Sequence, residues 1–148
     1  MSELRELYQT LILDHNKNPR NFGVLENPSH NADGDNPLCG DVIHVTLRVE
    51  DDVVRDLRFE GSGCAISTAS ASLMTQAVKE RPVAEALALF EDFQELVTTN
   101  APSKGDKLGK LAVFAGVREF PVRVKCATLP WHTLKNALKG SQDVARTE

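Results

Sequence analysis

Asp35-Asn36-Pro37-Leu38-Cys39-Gly40-Asp41 leads straight into Val42-Ile43-His44-Val45-Thr46-Leu47-Arg48-Val49-Glu50, and the fold is organised around this junction. The first half is too polar, and too broken by Pro37 and Gly40, to be core. The second half alternates. Ile43, Val45, Leu47 and Val49 share one face, and Val42, His44, Thr46 and Arg48 share the other, which is the period of a half-buried strand. Cys39 and Asp41 stand two apart, so in an extended chain both side chains leave the same face. A thiol and a carboxylate sharing a face at the mouth of a strand suggest half of a metal site. Cys64 and Cys126 remain to complete it.

Downstream of this junction, Glu50-Asp51-Asp52 reads as a turn into a second strand over residues 53–60. Val53, Leu57 and Phe59 face inward there, and Arg55 interrupts the face. The pair forms an antiparallel hairpin, half buried and half wet. Upstream, Leu4, Leu7, Tyr8, Leu11 and Ile12 predict a helix over residues 3–14, ended by Asn16-Lys17-Asn18-Pro19 because the residue before proline is pushed out of helical conformation. From there to residue 38 the chain reads as an irregular segment, long enough to be functional.

Gly61-Ser62-Gly63 breaks the second strand just before Cys64. Residues 65–79 then form a helix of small residues, whose Ser67, Ser70 and Ser72 are expected to face solvent or to bond backbone carbonyls. Arg81-Pro82 stops it, and residues 83–97 form another helix striped by Val83, Leu87, Phe90 and Leu96. A polar loop covers residues 98–105, and residues 108–116 make a short apolar helix or turn with Leu108, Leu111, Ala112 and Ala115 inward. Residues 120–125 read as extended, and a last short helix over 133–139 begins near Pro130-Trp131. Residues 1–140 are expected to form one domain, with 141–148 a flexible tail.

Composition narrows the class. With 148 residues, 41% hydrophobic and 26% charged, the chain is an ordinary globular domain able to bury a core without staples. No apolar run approaches the ~20 residues of a membrane span, and Met1-Ser2-Glu3-Leu4-Arg5 has no signal-peptide character. A cytoplasmic location without membrane partners is therefore expected. A net charge of −4 with no Lys/Arg cluster argues against nucleic acid. Three cysteines in a reducing compartment do not make a disulfide framework, and an odd number cannot pair completely.

The cysteines sit in chemically suggestive places. Cys64 follows a Gly-Ser-Gly turn and opens a helix, where unpaired N–H groups and the positive dipole end suit a thiolate. Cys126 is preceded by Arg123 and Lys125, two cations of the same effect. Three thiolates and one carboxylate suit tetrahedral zinc, and the same set could hold an iron–sulfur cluster. On a divalent ion they sum to a charge of about −2, which Arg123 and Lys125 could offset. A site closed by four protein ligands is normally structural, so reaction requires one to leave. Cys39 and Asp41, on a loop, are more easily released than Cys64 or Cys126. His15, His30, His44 and His132 are scattered, none at metal-ligand spacing, and no phosphate loop or nucleophile elbow is present. Asn18-Pro19-Arg20 takes no role from residue chemistry alone.

Four motifs together resemble a known family. They are Ile12-Leu13-Asp14-His15 with Lys17-Asn18-Pro19-Arg20-Asn21; Asn36-Pro37-Leu38-Cys39-Gly40-Asp41; Gly61-Ser62-Gly63-Cys64-Ala65-Ile66-Ser67; and Arg123-Val124-Lys125-Cys126-Ala127-Thr128-Leu129. The chain is similar over nearly its whole length to the IscU/NifU N-terminal family of iron–sulfur cluster assembly proteins. Within it, the SufU branch fits best. IscU-type scaffolds carry histidine just before the third cysteine, where this chain has Lys125, and extra sequence falls roughly in residues 93–120.

The resemblance implies an α+β fold, with a small antiparallel sheet and helices packed on one side. It implies zinc bound by Cys39, Asp41, Cys64 and Cys126, and sulfur accepted at Cys39 as persulfide from a PLP-dependent cysteine desulfurase of the SufS type. In that branch a desulfurase histidine takes a zinc position and frees Cys39, while Arg123 assists at the site or interface. The sulfur then passes to downstream cluster-assembly proteins. The alternative the family offers is a scaffold that builds a [2Fe–2S] cluster on the same cysteines. In the transfer reading, the charge count and the need for an open position make Asp41 the ligand expected to hold and Cys39 the one expected to leave and react, with Pro37 and Gly40 a hinge pair around it.

Overall fold

The computed structural model describes residues 2–37, 40–98, 111, 114, 117, 120–140 and 145–146, with backbone alone for 2–8 and 146. Helix α1 (Ser2–Lys17) is followed by strands β1 (His30–Asn36), β2 (Asp41–Glu50) and β3 (Val53–Ser62). Helices α2 (Ala65–Val78), α3 (Val83–Thr98) and α4 (Pro121–Leu138) come next, then a two-residue strand β4 (Ala145–Arg146). The strand order is β3-β2-β1-β4, antiparallel through the first three and parallel at the last. Ile43, Val45, Leu47, Leu57 and Phe59 carry one face of the sheet into a core shared with Leu73 and Met74 of α2, Phe90 and Phe93 of α3, and Leu129 and Trp131 of α4. The α+β architecture with helices on one side of a small sheet is as the sequence implied.

The β2–β3 hairpin follows its hydrophobic alternation, with one refinement. Asp51 and Asp52 both take positive φ between the paired Glu50 and Val53, the geometry of a two-residue turn matched to strand twist. Arg48 pairs with Asp56 but Val49 pairs with Val54, so Arg55 is the extra residue of a β-bulge. Arg55 does not interrupt the buried face. The bulge shifts that face to the fully buried Val54, and Val53 is only partly covered. The outer face is drier than alternation implied at Thr46, whose Oγ1 accepts the Leu25 N–H at 3.0 Å and which is buried beneath it.

Strand β1 overturns the expectation of irregular chain up to residue 38. His30-Asn31-Ala32-Asp33-Gly34-Asp35-Asn36 has no apolar alternation because α4 lies directly on it. A Cβ at Gly34 would collide with the Thr133 Oγ1 of α4 and press the Leu129 side chain at 3.1 Å. The strand is small and polar so that a helix can approach its backbone, and its pairing comes from β2 rather than from its own propensity.

Helix α4 is the second correction. Residues 120–125 are not an extended segment ahead of a short helix. One helix runs from Pro121 through Pro130 to Leu138. Pro121 occupies the first turn, where its missing N–H is harmless. Pro130 removes the bond its N–H would make to the Cys126 carbonyl, a loss that packing overrides, because Trp131 is fully buried and stacked 4.9 Å from Phe93.

Leu111, Phe114 and Val117 are buried at the three-residue spacing of a 3₁₀ turn. Of the expected inner face, Leu108, Ala112 and Ala115 lie outside the described residues, as does the loop over 99–105. The tail expected to be flexible contains β4, in which Ala145 pairs with Gly34 and Arg146 with Asp35.

Candidate metal centre

Three elements end at one place. Asp41 opens β2, Cys64 caps the N-terminus of α2, and Cys126 lies in the second turn of α4. One ligand atom from each lies within 4.8 Å of the other two. Asp41 and Cys126 are buried, and Cys64 is partly so. Asp41 Oδ1 accepts the Cys64 backbone N–H at 2.8 Å, which turns Oδ2 towards the Cys64 sulfur, 3.8 Å away. Cys64 Sγ in turn accepts the Ser67 N–H at 3.4 Å, so the thiol performs the capping that serine or aspartate usually does.

This donor set fits a divalent metal of the zinc type. Zn–S bonds of about 2.3 Å and Zn–O bonds of about 2.0–2.2 Å set tetrahedral ligand–ligand edges of roughly 3.5–3.8 Å. The observed spread is no more than about 1 Å wider than those edges. Two sulfurs and a carboxylate leave a fourth position for another donor.

The sequence reading placed four ligands here, and the structure brings Asp41, Cys64 and Cys126 together. Cys39, and with it the idea of a hinged nucleophile, lies outside the described residues. Arg123 stands on the exposed first turn of α4, its guanidinium 4.8 Å from the Phe120 ring centroid. Neither Arg123 nor Lys125 forms an ion pair with Asp41. The histidines sit elsewhere. His15 is buried against Ser72, His30 bonds Ser29, His44 bonds Asp33, and His132 packs edge-on to Phe90. Burial and the nearby Lys135 charge hold His132 below the ordinary 6.5, against an opposing pull from Glu91.

Two supporting residues were hidden in plain turn chemistry. Gly63 reads as a strand breaker, yet a Cβ there would collide with the Asp41 carboxylate and lie 2.9 Å from its Cγ. Only glycine lets the carboxylate lie against the 63–64 backbone. Asn36 reads as part of a polar turn, yet it is completely buried, with Nδ2 3.8 Å from Cys126 Sγ.

The Asn18-Pro19-Arg20 stretch, silent in sequence, fastens α1 to α2. Ser72 Oγ accepts the Arg20 backbone N–H at 2.8 Å and shares a 2.6 Å hydrogen bond with His15 Nδ1. Asn21 Nδ2 donates to Thr75 Oγ1 at 3.0 Å. Arg20 also pairs with Asp14 at 2.7 Å, and that hydrogen bond holds the Asp14 carboxyl below its usual 3.8. The serines of α2 are buried rather than exposed. Ser70 Oγ donates to the Ala127 carbonyl at 2.5 Å, joining α2 to α4 one residue past Cys126.

Residues 7–127 match the NifU-like N-terminal domain. The chain is 44% identical over 137 residues to the zinc-dependent sulfurtransferase SufU of Bacillus subtilis, covering 93% of this chain and 92% of that protein. It is 43% identical over 141 residues to the iron–sulfur cluster assembly scaffold protein IscU of Streptococcus pyogenes, covering 95% of this chain and 88% of that one. The fold superposes with a TM-score of 0.84, at 33% identity, on a proposed SUF-system cluster assembly scaffold from Fervidobacterium islandicum, spanning 90% of this chain and 97% of the other. With motifs, fold and sequence in agreement across nearly the whole chain, the protein belongs to the NifU-like N-terminal domain family.

Proposed function

We propose that this chain is a zinc-dependent sulfur-transfer protein that takes persulfide sulfur from a PLP-dependent cysteine desulfurase of the SufS type and supplies iron–sulfur cluster assembly. The observation that carries this reading is the convergence of Asp41, Cys64 and Cys126 with one ligand position to spare. Cys39 is two residues from Asp41, a chain length of at most about 7 Å, so it is the natural fourth donor. Lys125, at the position where the resemblance implies histidine in IscU-type scaffolds, offers no neutral nitrogen ligand and favours transfer over cluster building. The SufU relative bears the zinc-dependent name.

Bound zinc supplies a Lewis acid that keeps its sulfur ligands as thiolates. Asp41, Cys64 and Cys126 would hold the metal, and Cys39 would serve as the sulfur acceptor. Its thiolate attacks the outer sulfur of the desulfurase persulfide. The S–S bond breaks, the desulfurase cysteine departs as thiolate, and Cys39 carries the transferred sulfur as a new persulfide with no net redox change. Arg123, exposed near the third ligand, offers a cation to the partner or to the persulfide anion.

Metal content and the visible spectrum of protein purified without oxygen test the reading. One zinc per chain and no absorbance beyond the protein band are expected. Iron, sulfide and a brown colour would replace it with the scaffold reading, which the name of the 43% identical relative favours. Cys39→Ala should abolish stimulation of desulfurase turnover, and undiminished stimulation would remove Cys39 as acceptor.

A further inference from the structure

Beyond the ligands themselves, we infer that Asn36 is a positioning residue for the third ligand: its side-chain amide donates to Cys126 Sγ and sets the orientation and donor strength of that thiolate. The inference rests on the metal reading above.

Asn36 is the last residue of β1 and pairs across the sheet with Asp41, the first residue of β2. It therefore stands at the end of the sheet where β1 stops and β2 begins. Its side chain is fully buried, and Nδ2 lies 3.8 Å from Cys126 Sγ, within range for an N–H···S hydrogen bond. A thiolate only accepts hydrogen bonds, so the NH₂ end of the amide must face the sulfur. Cys126 is carried on α4, just where Pro130 removes a backbone bond to the Cys126 carbonyl. A donor from outside the helix holds that sulfur independently of the helix backbone. Asn36 supplies one from the strand that also meets Asp41, so two ligands from distant parts of the chain are tied to a single register position. A neutral donor also draws charge from an anionic ligand set without adding a competing ligand. Outer groups of this kind orient ligands and tune the metal.

Co²⁺ is the probe, because its sulfur-to-metal charge-transfer band reports thiolate donor strength directly. Wild-type protein should bind one Co²⁺, and Asp41→Ala should lose it. Asn36→Leu keeps roughly the side-chain volume and removes the donor without adding a charge or a competing ligand. It should weaken Co²⁺ binding by roughly 10–100-fold and, at saturating Co²⁺, move the charge-transfer band to lower energy. A residue that merely packs would leave the saturated spectrum unchanged. Wild type that binds Co²⁺ normally, beside an Asn36→Leu variant with the same affinity and spectrum, would overturn this inference alone. Wild type that takes up no Co²⁺ would overturn the metal reading and this inference with it. Should the variant fail to fold, Cd²⁺-loaded wild type decides. The Asn36 side-chain NH₂ resonances should shift on loading and exchange slowly with solvent, and resonances unmoved by the metal would refute the contact.

Discussion

Gly63→Ala is the most discriminating single change, because the three atoms nearest the added methyl all belong to Asp41. The new Cβ would collide with Asp41 Oδ1 and sit 2.9 Å from its Cγ and 3.1 Å from its Cα. Ordinary carbon contacts lie at about 3.5–4.0 Å, so the carboxylate must retreat by roughly 0.6–1 Å. The 2.8 Å bond from the Cys64 N–H to Oδ1 then stretches past useful range. A hydrogen bond to a charged group is worth about 1.5–3 kcal/mol, which converts at 1.4 kcal/mol per decade to a roughly 10–150-fold weaker hold on the metal. The assay is competition for Zn²⁺ with a chromophoric chelator, using Ser62→Ala at the exposed neighbouring position as control. An alanine variant that binds zinc within twofold of wild type would refute the argument that this glycine exists to admit Asp41.

The remaining expectations concern stability. Ser72→Ala strips the part-buried Arg20 N–H of its acceptor and the buried His15 of a 2.6 Å partner, and should cost about 1–3 kcal/mol, read as a lower urea midpoint with unchanged slope. A loss below about 0.5 kcal/mol would make the α1–α2 clasp incidental. Glu80 holds φ +68 just beyond the α2 C-cap, a position glycine prefers, and its exposed 3.5 Å pair with Arg55 is worth little. Glu80→Gly should therefore raise Tm by roughly 2–4 °C, and an unchanged or lower Tm counts against it. His132 has a folded pKa below 6.5, so the unfolded chain binds more protons as pH falls. Stability from this group is full above pH 6.5, declines as pH drops through 6.5 towards the folded pKa, and levels off below it. His132→Gln should flatten that slope in denaturation curves taken across the window, and an identical slope would exclude His132 as its source. Verified zinc removal should lower Tm clearly, since structural zinc contributes ~10–16 kcal/mol in small fingers; an unchanged Tm would make the metal peripheral.

Some of the fold was legible before any coordinates. The β2–β3 hairpin announces itself by alternation and a two-aspartate turn, and α3 by its apolar stripe, of which Phe90 and Leu96 are buried and Val83 and Leu87 partly covered. β1 and α4 were not legible, and for opposite reasons. β1 carries no pattern because Gly34 and Ala32 are small to admit α4. α4 carries a misleading one, since Pro130 signals a break that the buried Trp131 and its stacking on Phe93 override. Arg55 looked like an error in the strand and proved to be its bulge.

The residue types at the site follow from sequence alone. Three cysteines and an aspartate, near turns, a helix start or a pair of cations, suggest the chemistry, because only so many side chains can bind a soft divalent metal. Their convergence is a tertiary property. Asp41, Cys64 and Cys126 are 23 and 62 residues apart along the chain, and nothing local brings them within 4.8 Å. The sheet register that sets Asn36 against Asp41, the glycine that lets a carboxylate lie on the α2 cap, and the helix that carries Cys126 over β1 do so together. Each of these depends on what another element leaves room for, and one-dimensional periodicity carries no record of that.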